Sequence, residues 1–148
     1  MSAQGAQKTS RFVKMCDTFH LPIISLIDEP GFLIGPEAEE QATILHGTHA
    51  VLAVVESKVP WTSIMIRKSF GVAAAAHYGP DSYVLAWPSA ESGALPVEGG
   101  VAVAFKKEIS EAKDPEIKRK EIELSLTKNQ NPFPRAENFS VHEIINPI

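Results

Sequence analysis

Val59-Pro60-Trp61-Thr62-Ser63-Ile64-Met65-Ile66, closed by Arg67-Lys68-Ser69-Phe70-Gly71, carries the pattern from which the architecture follows. A proline leads a short run of apolar and β-branched residues. Proline has no N–H for a sheet ladder and is tolerated where a strand begins, so the run predicts a buried strand behind Pro60. Arg67 to Gly71 end it, and the small residues Val72 to Ala76 begin a helix. The same arrangement stands earlier: Leu21-Pro22-Ile23-Ile24-Ser25-Leu26-Ile27 reads as a buried strand, and Asp28-Glu29-Pro30-Gly31-Phe32 breaks it as a loop. Ahead of that strand, Phe12, Met15, Cys16 and Phe19 recur at helical spacing opposite Arg11, Lys14 and Asp17, which predicts an amphipathic helix from Arg11 behind a flexible lead of residues 1–10. Between the strands, Pro36 with Glu37, Glu39 and Glu40 suits a helix start, and the stripe Leu45, Thr48, Leu52, Val55 carries that helix to about Lys58. Helix, strand, loop thus occurs twice, and consecutive parallel strands need crossover connections. The expectation is one α/β domain over residues 11–148.

Downstream, Ser82 to Trp87 predicts a third strand and Glu98 to Ile109 a helix. Asp114-Pro115-Glu116-Ile117 predicts a capped helix reaching about Lys128 and stopped by Asn131-Pro132-Phe133-Pro134, with a short helix or strand at Val141 to Ile145. The chain has 148 residues, 44% of them apolar and 22% charged, enough for one hydrophobic core. A net charge of -4 supplies no basic footprint for nucleic acid or anionic lipid. Runs such as Val51 to Val55 fall short of the roughly 20 residues that span a bilayer. The single cysteine, Cys16, allows no internal disulfide and fits a reducing, cytoplasmic setting.

Open α/β sheets place ligands beyond the carboxyl ends of their strands, which directs attention to the two glycine-bearing loops. Gly71 permits a tight path, and Val72 and Ala73 then present N–H groups at a helix start, where they stabilise an oxyanion or simply begin a small-residue helix that packs closely. Asp28 and Glu29 are an acid/base pair or, as adjacent residues pointing apart, loop-solvating groups. His46 and His49 could share a helix face toward a metal but lack a third ligand at motif spacing, so no metal site is expected. Ser63, Ser69 and His77 have no hydrolase motif around them. Cys16 reads as a core filler, Trp61 and Trp87 as core residues, and Arg67-Lys68 as an anion-binding pair or a solvated strand end.

The ordered blocks Arg11-Phe12-Val13, Cys16-Asp17, Asp28-x-Pro30-Gly31-Phe32, His46-Gly47, Val59-Pro60, Arg67-Lys68-x-x-Gly71, Ala90-Glu91, Glu98-Gly99 and Asp114-Pro115 resemble the C-terminal part of the carboxyltransferases of biotin-dependent acyl-CoA carboxylases, the propionyl-CoA carboxylase β and methylmalonyl-CoA carboxyltransferase family. The resemblance implies a partial crotonase-like (ClpP/crotonase) fold of repeated ββα units. It implies transfer of a carboxyl group from carboxybiotin, borne on a separate carrier domain, to an acyl-CoA such as propionyl-CoA or acetyl-CoA. Gly31, Phe32, Gly71, Val72 and Ala73 would line the biotin site, and the backbone N–H groups of Val72 and Ala73 would form its oxyanion hole. The implied partners are the acyl-CoA-binding half, without which the chain is expected to be inactive, a biotin carboxyl carrier protein or biotin carboxylase subunit, and further copies in an oligomer. Where the family reads Gly-Gly-Ala this chain has Gly71-Val72-Ala73, and the added side chain is expected to crowd the ring or restrict the turn. The alternative is a non-catalytic crotonase-like module that retains only the oligomer interface.

Overall fold

The computed structural model of the chain describes residues 1–147, the side chains of 98 and 99 excepted, so the last residue of the expected domain and the Glu98-Gly99 block lie outside the described residues. Among these the order is α1 (Ala3–Thr18), β1 (Ile23–Glu29), α2 (Pro36–Glu40), α3 (Thr43–Glu56), β2 (Trp61–Phe70), α4 (Gly71–Ala75), β3 (Tyr83–Ala86), β4 (Glu91–Gly93), α5 (Val97–Ala104), α6 (Lys106–Ser110), α7 (Pro115–Gln130), α8 (Pro132–Glu137) and β5 (Glu143–Ile144). Every strand pairing is parallel, in the order β1-β2-β3-β5, and β4 also pairs with β2. The expected parallel α/β architecture is present.

β2 does not stop at Arg67, as its sequence suggested. It pairs with β3 over Thr62–Met65 and with β4 over Lys68–Phe70. Between these stretches the register against β1 shifts, Ile27 facing Met65 but Glu29 facing Ser69. Such an irregularity bends a strand without ending it, so the charged pair Arg67-Lys68 sits on the bend of a continuing strand.

The first helix begins at Ala3 rather than Arg11. The Ser2 hydroxyl accepts from the Gly5 N–H at 3.1 Å, and Ala3 and Ala6 are buried. Residues 3–10 are therefore helix, where a flexible lead was expected, because a cap and small packing residues hold them against α3. The expected helix from Pro36 to Lys58 is two: Ala42 adopts a left-handed conformation (φ 52°) between α2 and α3. Phe105 likewise parts the expected Glu98–Ile109 helix into α5 and α6. Asp114 caps α7 as expected, its carboxylate accepting from the Glu116 and Ile117 N–H groups at 3.1 Å each. Asn131 ends α7 and caps α8 through the Phe133 N–H at 3.1 Å.

Which faces are buried also differs from expectation. In α3 the buried residues are Thr43, Gly47, Ala50, Ala53 and Val54, whereas Leu45, Leu52 and Val55 are exposed. In α1 the buried set is Ala3, Ala6, Val13 and Cys16, and Phe12, Met15 and Phe19 face outward. Small side chains let these two helices approach closely and leave the larger stripes outside. β1 follows suit: Ile23, Ile27 and Glu29 point inward, Ile24 and Leu26 outward. The core between helices and sheet comprises Val13, Cys16, Ile23, Ala53, Val54, Val59 and Trp61. Trp87, expected in the core, is half-buried. No helix among the described residues is long and apolar enough to cross a membrane.

Candidate functional site

Parallel pairing of β1 with β2 brings their carboxyl ends side by side. The chain leaves β1 through Pro30, Gly31 and Phe32, and leaves β2 by turning at Gly71 into α4. Both exits open on one groove of about 820 Å³, whose walls include Gly31, Phe32, Gly71, Val72 and Ala73 together with Ile34, Leu95 and Val103. All five residues named from the sequence thus share a cavity of the size that holds small organic ligands.

The turn depends on Gly71, which has φ +63°, a conformation that side-chain-bearing residues adopt at a cost. Val72 is outside the left-handed region, so its side chain does not restrict the turn as expected; it stands 70% exposed on the groove wall. The backbone strain falls on Gly71 alone. Ala73 is fully buried. As members of the first turn of α4, Val72 and Ala73 have N–H groups with no acceptor inside their own helix.

Phe32 gives this groove an aromatic wall. A Cβ placed on Gly47 would lie 2.4 Å from Phe32 Cζ, so the ring rests directly on the backbone of α3. A glycine inside a helix costs about 1 kcal/mol relative to alanine, and here it is what allows the aromatic ring to seat. The His46-Gly47 block therefore acts through its glycine.

The adjacent acids point apart. Asp28 is at the surface, where Arg67 Nε donates to its two oxygens at 3.0 and 3.1 Å and the Lys68 N–H donates at 3.3 Å. The hydrogen bond from Arg67 holds the Asp28 carboxyl below its ordinary range and in turn raises the guanidinium's own pKa. Arg67 is thus engaged within the chain. Glu29 is buried, and its Oε1 accepts from the Gly31 N–H at 3.0 Å and the Met1 amino group at 2.7 Å. Burial pushes its pKa upward, but His77, the amino group and the Gly31 N–H together outweigh burial and leave it lowered. Glu29 is therefore an anchor for the Gly31 loop.

The remaining polar candidates have structural partners. His46 and His49 meet edge to face with ring centroids 6.4 Å apart, and among the described residues no cluster of three His, Cys, Asp or Glu side chains could hold a metal. Ser63 Oγ donates to the His77 carbonyl at 2.8 Å. His77 Nδ1 meets Ser25 Oγ at 3.1 Å, but its Nε2 is 3.9 Å from Glu29 Oε2, too far for a hydrogen-bonded relay. Cys16 is buried in the core. The sequence reading missed a second cavity of about 290 Å³, lined by Ser69, Tyr78, Ser92 and Arg135. These residues share no motif, and only β4 and α8 bring the last two to the end of β2.

The carboxyl transferase domain family matches residues 1–148. The chain is 34% identical to the propionyl-CoA carboxylase carboxyltransferase subunit of Haloferax mediterranei, over 99% of its own length and 29% of that protein's. It is 32% identical to the biotin-dependent acetyl-/propionyl-coenzyme A carboxylase beta5 subunit of Mycobacterium leprae, over 99% and 28% of the two chains. Its structure resembles that of the transcarboxylase 12S hexamer, solved with methylmalonyl-coenzyme A and methylmalonic acid bound, with a TM-score of 0.87, 34% identity, and coverage of 99% of this chain and 29% of that one. The chain thus spans less than a third of the length of the relatives it matches, and the fold it shares with them is that of a partial crotonase-like domain.

Proposed function

The chain belongs to the carboxyl transferase domain family, and from that premise we propose that it is the carboxybiotin-receiving part of an acyl-CoA carboxylase carboxyltransferase. The observation that carries this reading is the convergence of Gly31-Phe32 and Gly71-Val72-Ala73 on one apolar groove. At about 820 Å³ the groove is large enough for a biotin head, and its lining is mostly apolar. Phe32, Ile34, Leu95 and Val103 offer apolar wall to a sulfur-containing ring and its aliphatic arm, and the first turn of α4 offers N–H donors to a ureido oxygen.

Carboxybiotin, delivered on a separate carrier, supplies the carboxyl group. The chain's part is electrostatic. N–H groups of Val72 and Ala73, held by the Gly71 turn, stabilise negative charge on an oxygen. Phe32, seated on Gly47, and Gly31, tied to Glu29, form the opposite wall and help orient the transferable group. The acceptor, an acyl-CoA such as propionyl-CoA or acetyl-CoA, is held by the acyl-CoA-binding half. The exposed Ile24 and Leu26 of β1, with Phe12 of α1 beside them, support docking to that half or to further copies, since parallel sheets are usually covered on both faces.

Amide chemical shifts of the purified protein titrated with biotin test the site directly: Gly71, Val72 and Ala73 are expected to move together and saturably. Combined with the acyl-CoA-binding half and free biotin, the protein is expected to decarboxylate methylmalonyl-CoA or malonyl-CoA. Biotin shifts confined to other regions would defeat the assignment. A second reading, a non-catalytic module, draws on the Val72 side chain in the groove. It requires wild-type protein to be inactive beside the acyl-CoA-binding half; where crowding by Val72 is the limit, Val72→Gly is expected to raise activity.

A further inference from the structure

Behind the Gly71 turn lies the cavity of about 290 Å³ lined by Ser69, Tyr78, Ser92 and Arg135. Its polar groups are incompletely used. Ser92 is only 5% exposed, yet its hydroxyl makes no hydrogen bond, and neither does the buried Nε of Arg135. Buried polar atoms of this kind are rare in folded proteins, because each one costs its desolvation without recompense. Ser69 Oγ and Tyr78 Oη meet at 2.7 Å, so one of the two hydrogens is left over for a further acceptor. Burial raises the Tyr78 pKa, with the Ser69 hydrogen bond and the Arg135 charge opposing, which keeps the phenol protonated and able to donate.

The set is one of donors carrying a single positive charge. Among the described residues no carboxylate pairs with Arg135, and no acidic residue lines the cavity. A guanidinium edge, a serine hydroxyl and a spare hydroxyl hydrogen match the planar, acceptor-only outline of a carboxylate. We propose that this cavity binds a small monovalent oxyanion of the carboxylate type, with Arg135 and Ser92 as its principal ligands. The site is distinct from the larger groove, although the two share Gly71 as a wall. It therefore stands or falls independently of the biotin reading.

The test is a titration of the purified protein with formate, acetate and bicarbonate at constant pH and ionic strength, with chloride as the balancing salt and phosphate as a dianionic comparison. Thermal unfolding and amide shifts of Ser92 and Tyr78 are followed. Saturable stabilisation by the carboxylate-type anions is expected. Ser92→Ala and Arg135→Gln are each expected to weaken it about tenfold or more, the scale of a hydrogen bond to a charged group. Ser92→Ala also removes an unpaired buried hydroxyl, so without anion it is expected to be at least as stable as wild type. This keeps loss of binding separate from loss of folding. The proposal is overturned if no anion acts saturably, if chloride or phosphate does as well as formate, or if the effect survives unchanged in Ser92→Ala.

Discussion

Replacing Gly47 by alanine tests whether Phe32 is a wall of the groove or a piece of the core. The new Cβ would stand 2.4 Å from Cζ and 2.5 Å from Cε1 of the ring. Carbon atoms in contact sit about 3.5–4.0 Å apart, so the ring must retreat by roughly an ångström or more. It has somewhere to go. Phe32 is half-buried in a loop flanked by Gly31 (φ 137°) and Gly35 (φ 109°), and nothing lies within 4 Å of a Cβ built on either glycine. The clash is therefore relieved by moving a loop side chain, and alanine adds about 1 kcal/mol of helix propensity to α3. The expected result is a protein within about 1 kcal/mol of wild-type stability that has lost the Phe32 wall and binds biotin at least about fivefold more weakly, given that a displaced aromatic contact is worth about 1 kcal/mol or more. Gly79→Ala is the contrasting substitution. Its Cβ would meet the Trp61 ring at 2.6 Å, but that ring is 6% exposed and tied by Nε1 to the His77 carbonyl at 3.0 Å. With no exit, the overpacking is expected to cost about 1–3 kcal/mol. Urea unfolding followed by tryptophan fluorescence gives both stabilities, and a biotin titration gives the affinity. If Gly47→Ala destabilised as much as Gly79→Ala, or bound biotin as wild type does, the picture of Phe32 as a movable groove wall would be wrong.

The Glu29 carboxylate has a lowered pKa in the folded state, so its contribution is fully present above the ordinary value of 4.5 and is lost as pH falls through the lower folded value. Glu29→Gln is therefore expected to flatten the acid limb of a stability-against-pH curve below about pH 4.5, and an unchanged limb would refute the assignment. Asp28 and Arg67 have well-aligned hydrogen bonds but side chains 40% and 68% exposed, so a double-mutant cycle is expected to give a coupling of only about 0.2–1 kcal/mol. A value of several kcal/mol would show that the bend of β2 depends on the pair. Asp114→Ala removes both capping bonds of α7 and is expected to cost about 1 kcal/mol, measured by the urea midpoint, with Asp114→Asn recovering most of it.

The element pattern was largely legible because it depends on local chemistry. Pro22 and Pro60 mark the starts of apolar strands, Pro36 a helix start, and Asp114 a cap, each through an interaction within a few residues. The breaks at Ala42 and Phe105 were not legible, since nothing in the local spacing distinguishes a kinked pair of helices from a single one. Burial was misread for a related reason. A stripe of Leu45, Leu52 and Val55 has helical periodicity whether it faces the core or a partner, and the small residues that do face the core, Gly47, Ala50 and Ala53, carry little periodic hydrophobic signal.

From the sequence alone came the parallel α/β class, the two glycine loops at strand ends, and the resemblance that names them as one site; these rest on short-range patterning and on ordered blocks along the chain. Only the tertiary structure decided that β2 bends and continues, that Phe32 rests on Gly47, that Gly71 rather than Val72 bears the left-handed turn, and that Ser92 and Arg135 line one cavity with Ser69 and Tyr78. Those relations join residues far apart in the chain through a register shift, a crossover and a close helix approach. No spacing encodes them, because they exist only once the strands are paired and the helices packed.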